Sequence, residues 1–154
     1  MPTSTPIVPT PGQVSLSMAR GDTLPFALQV IFNPLTAQVQ AIQSNTIPPP
    51  GWSFGMPTGY SLAKILWTAK FYVAQADVKA LVQLNYTTGG PPGGITTTAG
   101  WIVTVTVPAS STVGLADSSP TVLVWDIQFT DTLGNIATLA YGSLTVFPDV
   151  TRST

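Results

Sequence analysis

The chain has 154 residues, 44% of them hydrophobic and only 7% charged, with a formal net charge of −1. Soluble domains are usually about 25% charged, so this surface has to be made of Thr, Ser, Gln, Asn, Gly and Pro. There is no His, no Cys and no Glu, and there are 15 Pro, which excludes a helical bundle, histidine and thiol catalysis, zinc ligation and disulfides.

The first twelve residues hold Pro2, Pro6, Pro9 and Pro11. Proline lacks a backbone donor and favours extended backbone, so residues 1–12 are expected to form an arm. The opening MPTSTPIVPTPG has neither a basic nor an apolar stretch of the kind a signal peptide needs. Residues 13–19 alternate, with Val14, Leu16 and Met18 facing one way, which predicts a strand. Arg20, Gly21 and Asp22 make a turn. Leu24–Phe32 follows as a strand with Phe26, Leu28, Val30 and Phe32 on one face.

Residues 33–60 carry Pro34, the run Pro48-Pro49-Pro50, and Trp52, Phe54 and Tyr60. So long an irregular stretch is unusual inside a compact domain, and disordered linkers avoid aromatics. It reads as an ordered insert that needs something to pack on. Two supports are open: the insert folds back to cap its own core, or it anchors in a neighbouring subunit.

Residues 62–74 predict a strand with Ile65, Trp67, Ala69, Phe71 and Val73 inward, and residues 78–86 the next one. Residues 87–94 (TTGGPPGG) are a loop tip. A short strand at 95–98 precedes one at 101–107, with Trp101, Val103, Val105 and Val107 inward. Residues 108–117 connect, with room for one helical turn. Residues 121–130 place Leu123, Trp125, Ile127 and Phe129 on one face. Residues 131–135 form a hairpin loop, and 136–147 close the sheet, with Gly142 at a bulge or a crossing point. Residues 150–154 are a polar tail. The sum is seven or eight short strands, the pattern of an all-β antiparallel sandwich in one domain, 13–149. Phe26, Trp67, Trp101 and Trp125 are each expected on the inward face of their strand.

Little here points to chemistry. Five basic residues, Arg20, Lys64, Lys70, Lys79 and Arg152, are too few and too scattered to track phosphates, so no nucleic-acid partner is expected. No apolar run approaches the roughly 20 residues of a membrane helix. Asp126 and Asp131 suggest a carboxylate pair, but Asp131 reads better as a turn former and Asp126 as an outward strand residue. Arg20-Gly21-Asp22 spells a tripeptide read by integrins, yet turn chemistry alone accounts for it. No catalytic, cofactor-binding or metal residues are assigned. A nearly neutral surface favours association, and the expected interface residues are Pro6, Ile7, Val8 and Pro9 in the arm with Trp52, Phe54, Met56 and Tyr60 in the insert.

Three stretches in order carry a resemblance: VSLSMARGDTLPFALQV at 14–30, VWDIQFTDTLGNIATLAYGSLTV at 124–146, and DVTR at 149–152. Strand, Arg-Gly-Asp turn and strand at the start, then a T-D-x-x-G hairpin, a Gly in the last strand and D-V-T-R at the end, resemble an Ig-like domain of tailed-bacteriophage structural proteins. The matching stretches cover about a third of the chain. The resemblance implies an Ig-like sandwich in a virion protein of the tail, baseplate or fibre-attachment apparatus. It also implies assembly in the host cytoplasm, copies of itself and other virion proteins as partners, and no enzymatic activity. The arm before residue 13 and the insert 33–60 depart from it. Added arms also occur in capsid decoration proteins, which is one alternative. A receptor- or carbohydrate-binding module, with Trp52 and Tyr60 as stacking platforms, is another.

Overall fold

A computed structural model describes residues 6–149. The readings made for the first five residues of the arm and for the tail 150–154 lie outside the described residues. Twelve strand segments follow in chain order: β1 (Val8–Pro9), β2 (Gly12–Gln13), β3 (Leu16–Ala19), β4 (Leu24–Phe32), β5 (Gln38–Gln43), β6 (Ser53–Phe54), β7 (Leu62–Lys70), β8 (Val82–Thr87), β9 (Ile95–Thr98), β10 (Ile102–Val107), β11 (Thr121–Asp131) and β12 (Ile136–Phe147). They make two mixed sheets. One has the order β1-β5-β4-β10-β9, with β6 also on β4. The other has the order β2-β12-β11-β7-β8, with β3 also on β12. The N-terminal segments supply the parallel pairings, β1 on β5 and β2 and β3 on β12.

Period-2 alternation makes each strand half-buried. Leu28 and Val30 of β4, Ile65, Trp67 and Ala69 of β7, Val103, Val105 and Val107 of β10, and Leu123, Trp125, Ile127 and Phe129 of β11 enter one hydrophobic cluster drawn from both sheets. Phe26 bridges the sheets. Its ring lies 5.9 Å from Trp67 and 6.0 Å from Trp125, which are 6.1 Å from each other. Burying such a ring contributes about 2–3 kcal/mol in transfer energy, so this triangle is a main source of cohesion between the layers.

Trp101 does not join them. It precedes β10 with a left-handed backbone (φ 59°), which turns its ring toward Tyr60 at 6.1 Å, edge-on. Pairing with β11 along residues 62–74 stops at Lys70, opposite Val124. The Gln75 side chain accepts the backbone N–H of Phe71 that a longer ladder would have used (2.9 Å), and Lys70 pairs with Asp77. Phe71 and Val73, expected inside, are therefore exposed. The same local bonding takes the first half of 78–86 into a 3-10 turn (Asp77–Lys79), and the strand begins only at Val82.

The insert is less irregular than expected. Val39 and Ala41 alternate with glutamines, and β5 pairs antiparallel with β4 from Leu28 to Phe32. Those two residues join the core, so the insert adds a strand to its own sheet. With β6, and with the first strand divided into β2 and β3, it raises the number of segments above the seven or eight expected. The turn at 20–22, the helical turn Ala109–Ser111, the hairpin at 131–135 and the full length of β12 agree with the sequence. Gly142 is the crossing point. The bulge lies elsewhere, where Ile127 faces Ala140 and Gln128 faces Thr138, leaving Leu139 as the extra residue.

Candidate functional site

Residues of the arm from Pro6 onward lie along their own chain. The Val8 N–H donates to the Ala37 carbonyl (2.8 Å) and the Thr10 N–H to that of Val39 (2.9 Å). Ile7 packs on the core, while Pro6, Val8 and Pro9 are exposed. The four insert residues separate. Met56 is buried in the core, Phe54 is exposed on β6, and Trp52 and Tyr60 are half-buried. Tyr60 is not a free stacking platform, since its ring rests against Trp101.

Between arm and body lies a cavity of about 420 Å³, lined by Pro6, Ile7 and Pro9 on one side and by Tyr60, Asp131 and Ile136 among others on the other. The Tyr60 hydroxyl is buried without a hydrogen-bond partner. Burial, and secondarily the Asp131 carboxylate, push this phenol up from 10.0 to about 12. In the unfolded chain it ionises near its ordinary value, so the folded state favours the protonated form. That stabilisation is complete below pH 10 and is lost as the pH rises toward 12. Alkaline absorbance titration is expected to reveal a phenolate forming near pH 12 that vanishes in Tyr60→Phe. The variant should keep wild-type stability at neutral pH, because it deletes an unpartnered hydroxyl. An unchanged titration curve in the variant would contradict this assignment.

Asp131 is a turn former. It is buried, and its Oδ1 accepts the N–H groups of Leu133 and Asn135, each at 2.9 Å, while Oδ2 accepts the Asn135 side-chain amide. Asp126 sits an odd number of residues away on β11 and so faces the other side of the sheet. The two are no catalytic pair. Arg20 forms an ion pair with Asp117, and the Gly21 N–H donates to the buried Thr112 hydroxyl (2.9 Å). With Gly21 at φ 80°, the Arg-Gly-Asp stretch is a turn fastened to the 108–117 connection. Among the described residues no three acidic side chains gather to hold a metal ion.

The sequence reading missed a concavity on the outer face of β7, β11 and β12, of about 480 Å³. Thr68 and Lys70 of β7, Val124 and Asp126 of β11, and Thr138, Tyr141 and Ser143 of β12 line it, with Gln13 at one rim and Val73 at another. The Leu139 bulge falls between Thr138 and Tyr141, where such an irregularity bends a strand and re-aims its side chains. Burial raises the Asp126 carboxyl above the usual range, against the lowering influence of a hydrogen bond from Gln128 and of nearby Lys70. The period-2 pattern marks these residues as outward but carries no information on curvature. The bulge at Leu139, beside the hollow, has no residue signature.

No protein-family model matches the chain, and no curated protein sequence matches it significantly.

Proposed function

We propose that this chain is an Ig-like β-sandwich acting as a non-enzymatic structural protein of a tailed-bacteriophage virion, in the tail, baseplate or fibre-attachment apparatus. Strand order supports the Ig-like reading. β9, β10 and β4 form one sheet and β12, β11, β7 and β8 the other, in the manner of the D-E-B and G-F-C-C′ strands of variable-type domains, with the N-terminal strand passing from one sheet to the other. The insert then supplies β5 beside β4. The Arg-Gly-Asp turn and the T-D-x-x-G hairpin fall between the strands that the resemblance assigns them to.

The observation that carries the assembly reading is apolar exposure on a surface almost without charge. Leu35, Ile47 and Val78 are 93%, 90% and 92% exposed, and Phe54, Tyr72 and Val73 are exposed as well. Large side chains left in water on these loops are available for contacts between copies, and so few charges offer little repulsion between them. Decoration of a capsid draws on the same features, and copy number separates the two sites.

Sedimentation velocity of the purified chain over a wide concentration range is expected to give concentration-dependent oligomers. Leu35→Ser, Ile47→Ser and Val78→Ser combined should shift the protein toward monomer without loss of fold, since none of the three packs in the core. A monomer at every concentration, for the parent chain, would count against self-assembly.

A further inference from the structure

We propose that the concavity over β7, β11 and β12 is a binding site for a neutral saccharide. Five polar side chains line it, those of Gln13, Thr68, Thr138, Tyr141 and Ser143. None of them makes a hydrogen bond within the protein among the described residues. Thr68 is only 3% exposed and still reaches the hollow from β7. Asp126 keeps one hydrogen bond, from the Gln128 amide to Oδ2 (3.3 Å), which leaves Oδ1 to accept from a ligand.

This donor and acceptor set matches a polyol. A carboxylate oxygen accepts from hydroxyls, protein hydroxyls both give and receive, and the Gln13 amide does either with its two ends. The half-exposed Tyr141 ring and the valines at positions 73 and 124 provide apolar surface for the C–H face of a sugar. The volume lies in the range of small-molecule sites, which combine an apolar lining with a few placed polar groups. An ion fits less well. Lys70 is already paired with Asp77, so no free cation awaits an anion. Lys70 also stands beside Asp126 in the lining, so the two formal charges there oppose one another.

The site goes beyond assembly and does not depend on it. Its place on a sheet also differs from the insert aromatics, Trp52 and Tyr60, that the sequence alone offers as sugar platforms.

The test is a titration of the full chain, labelled with nitrogen-15, with glucose, galactose, mannose, N-acetylglucosamine and their disaccharides, with glucosamine and glucuronate as charged comparators. At least one neutral sugar is expected to shift the amide signals of Thr68, Asp126 and Tyr141 saturably. Thr68→Val, Asp126→Asn and Tyr141→Ala should each weaken that sugar by about tenfold or more, the size of one lost hydrogen bond or contact. Their spectra away from the site should match the parent, which establishes that they fold. The proposal is overturned if no neutral sugar shifts these signals, if only glucosamine or glucuronate does, or if all three variants bind as the parent does.

Discussion

Replacing Gly142 with alanine is expected to destabilise the chain by about 3 kcal/mol, the upper end of the usual range for overpacking. A Cβ at this position would overlap the carbonyl oxygen of Val14, well inside the 3.0 Å that real Cβ contacts respect. The obstacle is backbone, which cannot swing aside as a side chain would. The Val14 N–H donates to the Tyr141 carbonyl (2.9 Å), so relief requires pulling the joint between β2 and β3 away from β12. Elsewhere in a strand, Gly→Ala stabilises by reducing backbone freedom, so the sign of the effect is diagnostic. Urea unfolding should show a lower midpoint with an unchanged slope. Hydrogen exchange should quicken at residues 12–19 and stay slow along β7 and β11. A midpoint at or above that of the parent would mean that the N-terminal strand does not cross at Gly142.

Trp67→Ala should cost about 4 kcal/mol, as large aromatic truncations in cores do. Trp67 is fully buried and touches both other rings of the triangle, so its removal empties the space between the sheets. Its indole N–H is buried without a partner. Trp67→Phe therefore removes a desolvated donor along with some volume, and should cost less than half as much. Thermal unfolding of the three proteins checks the order. Equal stability of Trp67→Ala and the parent would deny the triangle its role as the bond between layers.

Much of the fold is legible in the residues because alternation is a direct consequence of a half-buried strand. Val103, Val105 and Val107, or Leu123 through Phe129, could hardly serve otherwise. The reading falters where local side-chain bonds compete with the ladder. Phe71 and Val73 continue the pattern of β7 in sequence, yet Gln75 and Asp77 draw the backbone into a turn, an outcome decided by two side chains several residues further on. β5 escaped notice for the opposite reason. Its inward residues are Val39 and Ala41, too small and too few to stand out beside the prolines and aromatics of the insert. Trp101 looked like a strand residue because its hydrophobicity fits, but a left-handed backbone is not written in a tryptophan.

The candidate site was less legible still. The expected interface residues were those of the Pro-rich arm and of the aromatic cluster in the insert, and the fold distributes the cluster: Met56 into the core, Tyr60 against Trp101, Phe54 to the surface. The hollow at Asp126 depends on the side chains of three strands far apart in sequence meeting on one face. Among its residues Asp126 was weighed in the sequence as half of a carboxylate pair and set aside as an outward strand residue.

The virion proposal is tested most directly by quantitative mass spectrometry of tailed-phage particles purified from cells that express this chain from its native gene. The account predicts the chain in the particle at a fixed stoichiometry, a small multiple of three or six per tail, retained through density-gradient purification. Hundreds of copies per particle would place it on the capsid. Its absence from particles, while abundant in the cells that produce them, would contradict the structural role altogether.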